Sequence, residues 1–206
     1  MPDEILRTFI AIELDEAVRI AIGGVQGKFK RTAPPGGVKW VAPDSIHLTL
    51  KCLGETPRAR IPHIEAALQA ACVAVAPFEF TVEGRGCFPN FHRPRVIWVA
   101  VRDKGQTLAR LQRDIERHVA PLGWPTEERG FSPHLTLGRV AKGADRATEE
   151  EIGQIVERSV VEQIGVQRVT AVTLIQSDLR PAGAIYTRLL SISLKPRGEG
   201  EIVSPE

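Results

Sequence analysis

The hydrophobic and polar positions divide the chain into short apolar runs and longer amphipathic stretches. The short runs are rich in β-branched and aromatic residues, which is typical of strands. They predict strands near Arg7–Leu14, Val38–Val41, Ser45–Leu53, Phe78–Gly86, Arg95–Arg102, His134–Val140, Val166–Ser177 and Ile185–Leu194. Apolar residues at helical spacing predict four helices, a stretch to about Lys30 capped by Asp15, Arg58–Val75, Gly105–Val119 and Thr148–Arg158. Thr148 with Glu151 matches the capping-box pattern at the start of the last helix.

One tetrapeptide, HLTL, occurs twice, at His47–Leu50 and at His134–Leu137. A helix and two strands are predicted after each copy. The order predicts two fused copies of a β-α-β-β unit that face each other. We therefore expect an α+β fold with one bilobal domain over residues 1–195, followed by a polar, disordered tail at 196–206.

The HLTL spacing has a simple meaning on a strand, where successive side chains point to opposite faces. His47 and Thr49 share one face, and the two leucines of the motif share the other and anchor the strand in a core. The second copy presents His134 and Thr136 in the same way. Two such strands from related lobes are expected to converge on one cleft.

Two imidazoles and two hydroxyls in one cleft suit displacement at phosphorus. A histidine titrates near pH 6.5, so a neutral and a protonated imidazole can coexist at neutral pH. One then accepts a proton from water and the other donates one to the leaving oxygen. The threonine hydroxyls donate to the non-bridging phosphate oxygens and stabilise the charge that develops there. This scheme requires no metal and no cofactor.

The alternatives are a pair of structural histidines and a zinc site. A single HLTL is consistent with an edge histidine beside a solvent-facing threonine, but two identical copies in matching context favour function. Structural zinc sites have four ligands and catalytic sites have three from the protein. No HExxH, CxxC or His-x-His pattern accompanies the two histidines.

Composition and charge describe an ordinary globular chain. The 206 residues include 27 Lys+Arg and 25 Asp+Glu, giving a net charge of +2, and 43% are hydrophobic. These values exclude wholesale disorder and a histone-like polycation but allow a local basic groove. Three cysteines without CxxC spacing favour a reduced, cytoplasmic protein. We expect no membrane segment, no signal-peptide pattern and a monomer.

Five segments together resemble the 2H phosphoesterase superfamily, and within it the LigT-like RNA 2′,3′-cyclic phosphodiesterases, also called 2′-5′ RNA ligases. They are RTFIAIELDE, KWVAPDSIHLTLKCLGE, RVIWVAV, FSPHLTLGR and LIQSDLRPAGAIYTRLLSISL. The resemblance spans about Arg7 to Leu194. It implies two antiparallel sheets that line a central cleft, with helices outside, and RNA ends or nucleoside 2′,3′-cyclic phosphates as substrates.

The resemblance also implies roles for individual residues. His47 would be the proton donor to the departing 3′ oxygen, and His134 the proton acceptor that activates water. Thr49 and Thr136 match the threonines that hold the phosphate. The residues alone do not assign the two histidine roles.

Two further residues are candidates, each with an alternative interpretation. Arg139, five positions after His134, can reach the phosphate only if the strand ends or bulges at Gly138, and it is otherwise a surface charge. An N-terminal aromatic lines the cleft in similar proteins, so Phe9 could stack on a base. Its alternative role is core packing.

Two other functions remain open. The protein could bind RNA ends without turnover, with a strong dependence on salt. It could also act on linear 2′-5′ linkages or on a small cyclic nucleotide, since loop shape rather than the motif would decide.

Overall fold

Nine strands and four α-helices make up residues 4–180 and 183–195, the part of the chain that the computed structural model describes. The strands are β1 Ile5–Glu13, β2 Val38–Trp40, β3 His47–Pro57, β4 Phe78–Phe88, β5 Val96–Arg102, β6 His134–Val140, β7 Gly165–Val169, β8 Ala171–Arg180 and β9 Gly183–Ser193. The helices are α1 Glu16–Thr32, α2 Ile61–Cys72, α3 Thr107–Val119 and α4 Arg146–Arg158. The predicted α+β class is confirmed, and the predicted tail at 196–206 lies outside the described residues.

All strands belong to one antiparallel sheet in the order β7-β4-β5-β6-β3-β1-β8-β9, and β2 pairs with β6. Strands β3 and β6 meet at a single residue pair, Leu48 with Leu135. The sheet therefore has two halves, here called the His134 lobe (β7, β4, β5, β6 and β2) and the His47 lobe (β3, β1, β8 and β9). The two sheets expected from the resemblance are these two halves of one continuous sheet.

The lobes do not coincide with the sequence repeats. Strands β4 and β5 follow the first HLTL in sequence but extend the sheet from β6. Strands β8 and β9 follow the second HLTL but extend it from β1, beside β3. Each lobe thus takes two strands from the other repeat, which the predicted order of β-α-β-β units did not show. Only β7, at the edge of the His134 lobe, stays with the repeat that supplies β6. The exchange links the two halves of the sheet through long-range strand pairs.

Two local predictions were wrong. The apolar run Val166–Ser177 forms two strands rather than one, and β7 pairs with β4 while β8 pairs with β1 and β9. Helix α4 begins before Thr148, because Asp145 is its N-cap and the Asp145 carboxylate accepts a hydrogen bond from the Thr148 backbone N–H at 2.8 Å. A carboxylate accepts the free N–H groups of a first helical turn well, so the helix starts at the earlier cap.

The core lies on the face of the sheet that carries the HLTL leucines. Leu48 and Leu135 are fully buried, and Leu50 and Leu137 are buried beside them. All four helices pack apolar residues into the same core, namely Val18, Ile22 and Phe29 of α1, Ile64 and Leu68 of α2, Leu108, Leu111 and Ile115 of α3, and Ile152 and Val156 of α4. The helices cover this face, so the opposite face of the HLTL strands is left to form the cleft.

Gly153 provides a test of this packing. It lies in α4 directly against the backbone carbonyl of Phe91, and a Cβ there would overlap that oxygen. We expect Gly153→Ala to lower the free energy of unfolding by about 1–3 kcal/mol, because neither backbone can easily move away. Gly24→Ala in α1 is the matched control, since its Cβ would enter open space. Alanine should stabilise that helix by about 0.5–1 kcal/mol. Urea unfolding of both variants measures the difference, and equal effects would contradict the packing.

Candidate active site

The side chains of the two HLTL motifs meet on one face of the sheet. Because Leu48 pairs with Leu135 and both point into the core, the residues on either side of each leucine point to the opposite face. Continued by one residue, the antiparallel register sets His47 across from Thr136 and Thr49 across from His134. The predicted His and Thr side chains are thus brought together, and all four are partly exposed.

Both imidazoles are held by the same hydrogen bond. Nδ1 of His47 lies 2.9 Å from the carbonyl oxygen of Ser45, and Nδ1 of His134 lies 2.7 Å from that of Ser132. A carbonyl oxygen only accepts, so Nδ1 carries the proton in both rings. The neutral form of each histidine therefore has its lone pair on Nε2, the atom free to exchange a proton with a ligand.

Aromatic side chains pack around each imidazole. Phe9 stacks on His47 with ring centroids 4.5 Å apart, and Tyr186 meets His47 edge-on at 5.1 Å. Phe88 meets His134 edge-on at 4.8 Å, and Trp98 lies 6.2 Å away. These contacts restrict the orientation of both rings and reduce their exposure to water.

Burial lowers the pKa of both histidines below its ordinary value, but their neighbours differ. Glu13 is the register partner of His47, and its carboxylate opposes the lowering of the His47 pKa. The partner of His134 is Ala100, which carries no charge, and the guanidinium of Arg139 lowers the His134 pKa further. The charged neighbours therefore act in opposite directions, with Glu13 favouring the charged form of His47 and Arg139 opposing that of His134, while burial opposes the charged form of both.

Glu13 is itself held in place by two contacts. Its Oε2 accepts hydrogen bonds from the Thr173 hydroxyl at 3.1 Å and from Nη2 of Arg188 at 2.8 Å. Strands β8 and β9 thus fix the carboxylate on the cleft face of β1, next to His47.

A cavity of about 560 Å³ opens beside His47. Four of the predicted site residues line it, namely His47, Thr49, Phe9 and Arg139. His134 and Thr136 share the same face of the sheet but do not line this cavity. The two histidines therefore differ in their surroundings, because this cavity is lined by His47 and not by His134.

Arg139 reaches the cleft through a bulge in β6. Thr136 pairs with Trp98 and Gly138 pairs with Ile97, so Leu137 is an extra residue on the β6 side. The bulge returns Arg139 to the face of Thr136, as expected for a strand that departs from regularity at Gly138. A Cβ at Gly138 would lie 2.7 Å from the side chain of Val38, so β2 also requires the glycine.

Phe9 lies in the cleft, as expected, but against a histidine. It is 8% exposed and one face of its ring is covered by His47, which leaves little surface for a base. The contact favours positioning of the imidazole over base stacking.

Sequence reasoning missed most of the other residues that line the cavity, among them Tyr186, Lys39 and Cys52. Alignment of the two repeats would have found Cys52, because it follows His47 by five positions as Arg139 follows His134. Lys39 and Tyr186 lie on strands outside the motifs, and their position depends on the exchange of strands between the lobes. No repeated pattern indicates them.

Two features are absent from the part of the chain that the structure describes. No helix within 4–180 and 183–195 is long and apolar enough to span a bilayer. The same residues contain no group of three or more His, Cys, Asp or Glu side chains arranged to hold a metal ion.

The fold and the paired motifs are those of a phosphoesterase. The LigT like phosphoesterase family matches this sequence twice, over residues 12–98 and 99–186, and the chain belongs to that family. Each match contains one HLTL motif.

Several known proteins are similar to this chain over most of its length. An RNA 2′,3′-cyclic phosphodiesterase of Methanothermobacter thermautotrophicus is 33% identical, covering 88% of this chain and 95% of the relative. An RNA 2′,3′-cyclic phosphodiesterase of Archaeoglobus fulgidus is 34% identical, covering 89% of this chain and 98% of the relative. A crystal structure from Thermus thermophilus superposes with a TM-score of 0.76 at 31% identity, covering 93% and 100%. The crystal structure of Escherichia coli LigT with 3′-AMP superposes with a TM-score of 0.73 at 26% identity, covering 94% of this chain and 100% of LigT.

The difference between the two histidine environments can be measured directly. We expect both neutral imidazoles to be Nδ1–H tautomers with pKa values below the ordinary 6.5. Arg139→Gln removes a positive charge and should raise the pKa of His134, while Glu13→Gln removes a negative charge and should lower that of His47. NMR titration of the imidazole nitrogens measures the tautomers and both changes in pKa.

Lys104→Gln is the charge-matched control for this titration, because Lys104 is exposed in a turn, does not line the cavity beside His47 and is not among the charges that shift either pKa. It should leave both pKa values in place. Equal shifts at the two histidines in either cleft variant would show that the neighbours do not distinguish them.

Proposed function

We propose that this protein hydrolyses 2′,3′-cyclic phosphate at RNA 3′ ends to a 2′-phosphomonoester, using His47 and His134 as acid and base. The observation that carries the proposal is the pair of imidazoles with identical Nδ1 anchors on one face of the sheet. The names of the relatives support the substrate, and E. coli LigT has been solved with 3′-AMP and with phosphate.

In the proposed reaction a water molecule attacks phosphorus opposite the 3′ oxygen. Nε2 of His134 accepts the proton of that water as the new P–O bond forms. The bond between phosphorus and O3′ breaks, and Nε2 of His47 donates its proton to O3′. The product carries a 2′-phosphate and a free 3′-hydroxyl, and each histidine ends in the protonation state with which the other began.

Two observations support this division of roles. The first is charge, because Glu13 favours protonated His47 and Arg139 favours neutral His134. The second is space. The attacking water and the leaving oxygen lie on opposite sides of phosphorus, and the leaving oxygen belongs to the ribose. The cavity adjoins His47, so the nucleoside has room on the side of the proposed acid.

Thr49, Thr136 and Arg139 are the proposed phosphate contacts. Their hydroxyl and guanidinium groups donate hydrogen bonds to the non-bridging oxygens, where negative charge grows as water attacks. The aromatic walls strengthen these contacts by excluding water. The proposed mechanism has no step through a metal ion.

Removal of either imidazole should have a large effect on turnover. We expect His47→Ala and His134→Ala each to lower kcat by about 10²–10⁴-fold with RNA ending in 2′,3′-cyclic phosphate. Thr49→Ala and Thr136→Ala should have smaller effects, since each removes one of several phosphate donors. The assay is run in excess EDTA, where the wild-type rate should persist. Rates near wild type in both histidine variants would refute the proposal, and loss of activity in EDTA would refute its metal independence.

The pH dependence of kcat/KM should follow the ionisation of the two histidines in the free enzyme. Activity requires protonated His47, which is lost above its pKa, and neutral His134, which is lost below its pKa. The optimum then lies midway between the two values, and since burial lowers both, it should fall below pH 6.5. Glu13→Gln should move the optimum to lower pH and Arg139→Gln to higher pH. An optimum on the alkaline side of 6.5 would contradict catalysis by two histidines of lowered pKa.

A further inference from the structure

A buried ion pair lies on the core side of β3, outside the cleft and outside the proposed reaction. Nζ of Lys51 lies 2.6 Å from Oε2 of Glu116 on α3, and the two residues are 4% and 5% exposed. Oε1 of Glu116 accepts a hydrogen bond from the Gln112 amide at 3.1 Å. Removing two charges from water is costly, and apolar side chains of similar volume often give equal or greater stability. Stability alone therefore does not account for the pair.

Both partners also contact the segment 123–133, which leads into β6 and is here called the approach segment. Nζ of Lys51 donates a hydrogen bond to the carbonyl oxygen of Pro125 at 2.7 Å. Oε2 of Glu116 accepts a hydrogen bond from the backbone N–H of Glu127 at 3.3 Å. The ion pair thus fixes the approach segment to β3 and to α3 at the same point.

The approach segment carries the group that orients His134. Its residue Ser132 provides the carbonyl oxygen that lies 2.7 Å from Nδ1 of that histidine. Strands β3 and β6 meet at a single residue pair, so their backbone pairing does not extend to Ser132. Side chains hold the segment instead, through Lys51 and through Nε1 of Trp124, which donates to the carbonyl oxygen of Leu53 on β3 at 2.8 Å.

The corresponding segment of the other repeat is held by backbone pairing. Residues 38–46 lead into His47, and β2 within them pairs with β6 as far as Gly138. Gly138 follows His134 by four positions, as Lys51 follows His47. At this position the glycine leaves room for a neighbouring strand in one repeat, and the lysine bonds to a loop in the other. Each motif strand therefore holds the segment that orients the histidine of the other strand.

We propose that the ion pair of Lys51 and Glu116 positions His134 by holding the approach segment, and that it thereby couples the two motif strands. Lys51 is a positioning residue, because it lies on the core side of β3 and acts through Ser132. The catalytic consequence rests on the proposed function, in which His134 is the base. The orientation of the imidazole does not, since it is a property of the protein without substrate.

The test replaces the ion pair with apolar side chains in the double variant Lys51→Met/Glu116→Leu. Such a replacement often preserves or raises stability, so urea unfolding should give a midpoint near that of the wild type. Because the approach segment loses two hydrogen bonds, NMR of the imidazole nitrogens should show neutral His134 as a mixture of tautomers, with His47 unchanged. With RNA ending in 2′,3′-cyclic phosphate, kcat should fall about 10–100-fold at similar KM, since the base is displaced while the phosphate contacts remain.

Arg95→Met/Glu149→Leu is the matched control. This ion pair also joins the sheet to a helix with an N–O distance of 2.6 Å, and it lies in the His134 lobe without a hydrogen bond to the described approach segment. It should change neither the tautomer of His134 nor kcat. Glu116→Gln is a second variant of the pair, which keeps the side-chain volume and removes the charge. It should shift the tautomer of His134 in the same direction, to a smaller extent.

The outcomes separate this proposal from the proposed function. An unchanged His134 tautomer in the folded double variant would overturn the positioning role and leave the phosphodiesterase proposal in place. If the double variant does not fold, an unchanged tautomer in Glu116→Gln has the same consequence. Absence of turnover by the wild-type protein would overturn the proposed function, while the tautomer of His134 would still decide whether the pair positions the ring.

Discussion

The single residue pair between Leu48 and Leu135 is the constraint on which the site depends. It joins the lobes and buries both leucines, so it sets the register of β3 against β6. A slip of one residue in either strand would turn the histidine and threonine of that strand toward the core. Because the ladder extends no further, β3 can diverge from β6 and leave room for β2 and a cavity. A full ladder would close that space, and no contact at all would leave the two motifs unrelated.

The two halves of the site share their backbone geometry and the hydrogen bond to Nδ1, but their electrostatic environments differ. Both imidazoles are anchored through Nδ1 to a carbonyl two residues upstream. The differences come from positions outside the motif, where Glu13 is matched by Ala100 in the other lobe. A symmetric pair would exchange acid and base roles freely. Charges at unmatched positions remove that equivalence without disturbing the backbone geometry that both histidines need.

The sequence was sufficient for the features that repeat or alternate. The duplicated HLTL predicted which four side chains share a face. Gly138 indicated where an irregularity would bring Arg139 to the cleft, but the sequence left a surface position for Arg139 as the alternative. It was insufficient wherever the outcome depends on which strands pair. The apolar run at 166–177 does not show that its two ends join opposite lobes. For the same reason Lys39 and Tyr186 gave no signal, because each reaches the cavity only through a long-range strand pairing.

The division between repeated and unrepeated residues suggests how one orientation of substrate is chosen. The motif supplies proton transfer and phosphate contacts on both sides of phosphorus, so by itself it would accept a cyclic phosphate either way round. The cavity adjoins His47, but residues of both lobes line it, including Lys39 and Arg139 of the His134 lobe. In the proposed reaction the ribose lies in this cavity and leaves the opposite side of phosphorus to water. Binding energy from the nucleoside is then used for orientation, and the group that protonates the leaving oxygen follows from where the nucleoside fits.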